Sequence, residues 1–197
     1  QLGKILLLST VSVLGTASVA ANAIGNTLAS FQVVPGTALG LAIVTVVSRC
    51  AGASEYDRAR YYTKKMMRTA YLYTVLVIAL ILACLPLILK LYNVSDQARE
   101  WATQILWMHG LCGILIWPLA FTLPQALRAA GDTRFTMVAS TVSMWTLRVG
   151  LGVLLGRYWG FGVLGIWMAM FADWALRAAL FVPRFHGHKW ETMGLEN

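Results

Sequence analysis

Residues 70–89 read AYLYTVLVIALILACLPLIL, twenty consecutive positions without a charge. An α-helix rises about 1.5 Å per residue, so such a run covers about 30 Å, the hydrocarbon thickness of a bilayer. Similar runs recur on both sides of it, and the charged residues collect in the joints between them. The 197-residue chain is 58% hydrophobic and only 12% charged, with a mean hydropathy of +0.66; soluble domains carry roughly 25% charge. The expected fold is an all-α polytopic membrane helix bundle. A net charge of +8 would point to nucleic acid in a soluble chain. Here short basic joints that orient a membrane protein account for it, so membrane lipid is the expected partner and nucleic acid is not.

Apolar patterning predicts a partial helix over residues 1–15, followed by spans at about 17–47, 70–89, 101–128, 135–155 and 162–182. The stretch 17–47 is too long to stand along the membrane normal, which predicts tilt or a kink at Pro35. Pro118 and Pro124 interrupt the span 101–128. The chain opens at Gln1 already inside an apolar pattern, with no initiator Met and no cleavable signal peptide, and reads as a fragment. Lys4, on the partial helix, is expected to face the bundle interior.

The joints carry their own punctuation. Gly52 is placed to end a helix in the left-handed conformation, with Ser54 and Asp57 capping the next. Gly131 and Asp132 repeat that stop-and-start arrangement, and Ser95 is a plausible cap before Trp101. Asn93-Val94-Ser95 matches a glycosylation sequon, a pattern too short to carry weight. Alternate joints share a side. One side carries Arg49, Arg58, Arg60, Lys64, Lys65, Arg68, Arg128, Arg134, Arg184 and Lys189; the other carries Lys90, Arg99 and Arg157. The positive-inside rule therefore puts the 49–68 joint and the C-terminus in the cytoplasm, with Tyr56, Tyr61 and Tyr62 as interfacial anchors.

An ionisable group at the centre of a membrane helix costs at least about 2.5 kcal/mol, so each needs a reason. Asp173 is the only acid deep in a span; Arg148 and Arg177 share its depth range. Counting from the turn at Gly156–Gly160, Arg148 and Asp173 differ in depth by about four residues, ~6 Å. Asp173 and Arg177 are i, i+4 on one helix face. These spacings predict a buried ion-paired cluster, Arg148–Asp173–Arg177. It either neutralises itself and locks a helical hairpin or takes part in cation or proton coupling.

A different pattern marks the second span. Ser18, Asn22, Gly25, Asn26 and Ala29 recur at three- and four-residue spacing, forming a face of small and polar side chains. Such a face either packs closely on another helix or lines a wet cavity. Gln32 precedes Pro35, where broken transporter helices expose backbone carbonyls, and Gly36 and Gly40 form a G-x-x-x-G pair. Ser18, Asn22, Asn26, Gln32 and Pro35 are the candidates for a substrate cavity. Gln104, His109 and Gln125 lie in or at the ends of the fourth span; a lone His there is read as a hydrogen-bonded packing residue. Among the tryptophans, Trp145 and Trp167 lie deep enough to stack on an organic cation, although anchoring or packing is the commoner role. Cys50, Cys84 and Cys112 lack metal-ligand spacing and read as small packing residues.

The order of these motifs carries a resemblance. Gly15-Thr16-Ala17-Ser18-Val19-Ala20-Ala21-Asn22, then Pro35-Gly36, then Ser48-Arg49-Cys50-Ala51-Gly52-Ala53 resembles the multidrug and toxic compound extrusion (MATE) family. Leu123-Pro124-Gln125-Ala126-Leu127-Arg128-Ala129-Ala130-Gly131-Asp132-Thr133 is similar to that family's RaaGDT joint between its tenth and eleventh helices. The resemblance implies twelve helices in two pseudo-symmetric lobes, of which residues 1–197 would be the C-terminal one. It implies a secondary antiporter of the plasma membrane that exports organic, often cationic, compounds in exchange for sodium ions or protons by alternating access. The helices matching the seventh, eighth, tenth and eleventh hold no buried acid, a departure that moves the expected coupling site to the missing N-terminal lobe. No cofactor, metal or catalytic residue is expected.

Two alternatives to drug export are a related lipid-linked saccharide flippase, which would need a more cationic cavity than Arg148 supplies, and a non-transport structural membrane protein. A membrane enzyme would need His, Asp, Glu or Cys clustered near one membrane edge. His109 stands alone, and His186 and His188 lie on the basic tail.

Overall fold

A computed structural model describes residues 2–192, the side chains of Leu2 and Lys4 excepted, so the expectation for Lys4 lies outside the described residues. The described chain is helical, with α1 (Leu2–Val13), α2 (Thr16–Gln32), α3 (Val34–Gly52), α4 (Tyr56–Leu91), α5 (Asp96–Leu115), α6 (Leu123–Ala129), α7 (Thr133–Ser143), α8 (Gly162–His186) and α9 (Lys189–Thr192). Three π-helical segments, Pro118–Thr122, Met144–Leu151 and Leu154–Tyr158, continue α5 and α7. Among the described residues four helices are long and apolar enough to cross a membrane, or five if the bent pair Asp96–Leu115 and Pro118–Ala129 is one span. Leu72, Leu76, Leu80 and Leu87 of α4 are exposed, as lipid-facing side chains are. The chain is a multi-pass membrane protein.

The breaks have local causes. Residues 17–47, expected as one tilted or kinked helix, are instead two helices separated at Val33. Pro35 has no N–H to give to the carbonyl of Phe31, and its ring crowds that carbonyl. The new helix therefore starts from Val33, whose carbonyl accepts Thr37 N–H at 3.0 Å. Pro118 likewise removes a backbone donor, and the chain answers with a wide π turn before α6. Between α3 and α4 it is Ser54 that takes a positive φ of 58°, not Gly52, which stays in α3. Gly131 does take the left-handed conformation, at φ 99°. Ser95 Oγ accepts the N–H of Ala98 at 3.3 Å, capping α5.

Two compact units share the chain. The first comprises Gln1–Gln32, Val77–Cys112 and Val142–Asp173. Its buried side chains include Val11, Ile24, Ile78, Leu85, Ile105, Ile166 and Trp167. Gly25 makes room in it: a Cβ there would lie 2.9 Å from Ile105 Cγ2 and 3.1 Å from Trp167 Cζ2.

The second comprises Val33–Leu76, Gly113–Thr141 and Trp174–Asn197. Ile43, Val47, Leu123, Leu127, Phe181 and Phe185 belong to its core. Here α3 approaches the start of α6 across Gly36 and Gly40. Thr122 Oγ1 donates to the Gly36 carbonyl at 3.0 Å. Two ion pairs hold the loops. Arg184 grips the buried Asp132 through Nε at 2.7 Å and Nη2 at 3.2 Å. Arg60 reaches the tail: Nε meets Glu191 Oε1 at 2.6 Å, Nη1 the Phe185 carbonyl at 3.0 Å and Nη2 the Gly187 carbonyl at 2.7 Å. Trp190 is fully buried beside it, stacked on Phe185 at 5.6 Å between ring centroids.

Space decides the cost of adding a methyl to a glycine. At Gly36 a Cβ would sit 2.3 Å from Trp117 Cζ3, whereas at Gly52 nothing lies within 4 Å. Gly36→Ala is expected to destabilise the intact protein by about 1–3 kcal/mol, whereas Gly52→Ala, at a helical position, is neutral or stabilising. Thermal unfolding of the two variants in detergent measures this difference directly.

The tail clamp depends on pH. Burial works to raise the Glu191 carboxyl, but hydrogen bonds from His188 and Arg60 outweigh it and hold the pKa below its ordinary value of 4.5. A carboxyl depressed on folding contributes stability above its unfolded pKa and loses it as pH falls through the folded one. A spin label at the exposed Thr192, with Cys50, Cys84 and Cys112 replaced by Ala, is expected to be immobile at neutral pH. It should gain mobility only below pH 4.5, and Arg60→Gln should mobilise it at neutral pH as well.

Candidate functional site

The small and polar face of α2 divides by depth. Ser18 is buried, and its hydroxyl returns to the Leu14 carbonyl at 3.1 Å, so it faces its own helix. Gly25 and Ala29 are buried. Asn22 and Asn26 open instead onto a cavity of about 280 Å³ within the first unit. Leu7, Leu8 and Val11 of α1 and Ile166, Trp167 and Met170 of α8 give that cavity apolar walls, and Arg148 brings a guanidinium to it. The amides are held in place. Trp167 Nε1 donates to Asn22 Oδ1 at 3.2 Å, and Asn26 Nδ2 donates to the Asn22 carbonyl at 2.8 Å. The result is an apolar pocket with a few fixed polar groups, the composition common to small-molecule sites.

Trp167 also links this wall to a second polar pair. The His109 ring stands edge-to-face with Trp167 and Phe171, at 5.8 and 6.4 Å between ring centroids. Its Nδ1 lies 2.5 Å from Oε1 of Gln32, which is fully buried. Gln32 therefore fastens α2 to α5 by side chain and is not among the cavity's lining residues. Pro35 belongs to the second unit, at the second position of α3, where its missing N–H costs nothing.

Asp173 is fully buried. Arg148 Nη1 lies 4.0 Å from its Oδ2, and Arg148 Nη2 meets Met170 Sδ at 3.0 Å. Ser143 supplies a short contact, its hydroxyl 2.5 Å from Asp173 Oδ1. Arg177 lies in the second unit, where Nη2 donates to the Ser140 carbonyl at 3.0 Å and Cζ stands 5.2 Å from the Phe121 ring centre. A carboxylate removed from water is stabilised by charge and by hydrogen bonds to its oxygens, and breaking such a buried arrangement from one side is costly.

Two features of the site leave little trace in the sequence. Ser143 has a signal only in hindsight, a hydroxyl one helix away from the deep acid. The π-helical segment Met144–Leu151, which carries Arg148, has no signal in periodicity, because each wide turn inserts about one residue and rotates the downstream side chains by about 100°. Trp145, offered as a stacking residue for a cation, is exposed and is not among the cavity's lining residues.

Comparison with known proteins places this chain in a family. A family model described as MatE matches residues 1–154. The chain is 24% identical over 189 residues to a "Probable multidrug resistance protein NorM" of Thermotoga maritima, covering 96% of this chain and 40% of that protein. It is 25% identical over 191 residues to a "Probable multidrug resistance protein YoeA" of Bacillus subtilis, covering 97% of this chain and 41% of that protein. An "Uncharacterized transporter YisQ" of Bacillus subtilis is 25% identical over 199 residues, 99% of this chain and 43% of that protein. The chain thus spans about two fifths of the length of the curated relatives it matches. No solved structure matches it.

Ser143→Ala tests the Asp173 arrangement. Losing a hydrogen bond to a buried carboxylate is expected to destabilise the intact protein by about 1.5–3 kcal/mol, read from unfolding in detergent. A loss of less than about 0.5 kcal/mol, the scale of an ordinary surface change, would show that Ser143 does not hold the acid.

Proposed function

The chain belongs to the MatE family, and we propose that it forms the C-terminal lobe of a two-lobed secondary antiporter that exports organic, often cationic, compounds. In this reading the other lobe is supplied by the remainder of a longer protein. The two lobes rock about a central cavity by alternating access. Inward-moving sodium ions or protons drive the cycle and are bound in the N-terminal lobe. The protein works in the plasma membrane, with the 49–68 joint and the C-terminus in the cytoplasm.

The observation that carries this reading is the cavity that Asn22 and Asn26 share with Trp167. Amides offer both donors and acceptors to solutes of varied chemistry, and an indole edge and aliphatic walls accept flat apolar bodies. Among the described residues its lining includes no carboxylate, and Asp173 is fully buried, which supports placing the coupling ion elsewhere. The relatives named as multidrug resistance proteins support the substrate class. The distribution of basic residues supports the orientation: the ten that mark one side all belong to the second unit.

Asn22→Leu in the intact protein tests the reading. It replaces the amide that Trp167 uses, so export of a fluorescent organic cation from energised vesicles is expected to fall by about fivefold or more, the equivalent of one lost hydrogen bond. Membrane insertion, followed by the yield of monodisperse protein, should be unchanged. Unaltered export in a properly inserted variant would remove this cavity from the transport path.

A further inference from the structure

We propose that the cleft along the start of α7 binds a phosphate group, carried by an anionic lipid headgroup or by a phosphorylated solute. The cleft lies within the second unit and has a volume of about 500 Å³. Arg128, in the last turn of α6, lines one wall, and Thr133, Arg134, Thr136, Ser140 and Thr141 line the other. The turn at Gly131 joins the two walls, with its φ of 99°. Arg128 Nε reaches Thr136 Oγ1 at 3.4 Å across the cleft.

Charge is the first argument. Among the described residues neither Arg128 nor Arg134 has a carboxylate within ion-pairing distance. The acid beside them in sequence, Asp132, is engaged by both Nε and Nη2 of Arg184. Two guanidiniums therefore border one cleft without a counter-charge. Arginine forks match the oxygens of a phosphate in pairs, which makes them its usual protein ligands.

A buried hydroxyl is the second argument. Ser140 Oγ is shielded from solvent and has no hydrogen-bond partner among the described residues, although the Ser140 carbonyl accepts Arg177 Nη2. Nearby, Thr136 Oγ1 does donate, to the carbonyls of Asp132 and Thr133. An unsatisfied buried hydroxyl is uncommon and asks for an acceptor. A phosphate oxygen held between the two arginines supplies one. The same basic residues sit on the side of a membrane protein where anionic headgroups gather, which is why a lipid is one of the two sources. The inference is independent of drug export and of the α2 cavity.

The test titrates the intact, delipidated protein in detergent by calorimetry with three probes: dioctanoyl phosphatidylglycerol, dioctanoylglycerol, which lacks the phosphate, and inorganic phosphate. Phosphatidylglycerol is expected to bind and dioctanoylglycerol not to. Arg134→Gln and Ser140→Ala should each weaken binding by about fivefold or more. Ser140→Ala is the sharper variant because it leaves charge untouched. Removing an unpartnered hydroxyl should also leave the melting temperature of the ligand-free protein equal or higher, so folding and binding move in opposite directions. Inorganic phosphate binding with the same dependence on both variants would identify a soluble phosphorylated ligand; binding of the lipid alone would identify a headgroup. The proposal is overturned if neither phosphate probe binds or if Ser140→Ala binds as tightly as wild type. Lys64→Gln, at an exposed position elsewhere in the second unit, weakening binding as much as Arg134→Gln would also overturn it, because the effect would then be diffuse surface charge.

Discussion

Inside a bilayer there is no water to complete a hydrogen bond, so every polar group must find its partner within the protein. Most hydroxyls in this chain meet that demand by the cheapest route, donating back to a carbonyl one turn earlier. Thr10, Ser18, Thr27, Thr37, Thr63, Thr103 and Thr146 all do so. A membrane helix rich in serine and threonine is therefore mostly bonding to itself, and its polarity says little about a ligand. The exceptions say more. Thr122 ties the turn before α6 to the carbonyl of Gly36, Ser143 serves Asp173, and Ser140 serves nothing among the described residues.

The same constraint explains how much could be read from the residues alone. A charge in hydrocarbon is so costly that joints and spans separate cleanly in sequence, and the all-helical membrane fold follows from residues 70–89 and their counterparts. What a buried polar group bonds to is settled by tertiary approach, which leaves no periodic trace. Gln32 and His109 were visible as separate polar residues, 77 positions apart, yet nothing in their spacing announces that they meet. The division at Val33 was closer to hand, since Pro35 marks the region, but a kink and a full break share that signature. The π turns between Met144 and Tyr158 have no signature in the spacing of the apolar residues.

The α2 cavity and the α7 cleft differ in their chemistry. The first mixes amides and an indole with aliphatic walls, so it offers many weak and adaptable contacts. The second concentrates fixed positive charge and hydroxyls, which favours a single kind of anion. A transporter of varied solutes has use for the first, and any membrane protein on a charged lipid surface has use for the second.

Arg60 and Glu191 are separated by 131 positions. Synthesis runs from the N-terminus, so Arg60 is placed at the membrane long before its carboxylate, the Phe185 and Gly187 carbonyls or the Trp190 indole exist. Until they arrive, the start of α4 holds a guanidinium without its final neighbours. Contacts so distant along the chain form late and slowly. Packing of the second unit around Arg60 therefore waits for residues made up to 131 positions later, and a nascent protein stalled between them presents an unfinished edge to whatever surveys quality at the membrane.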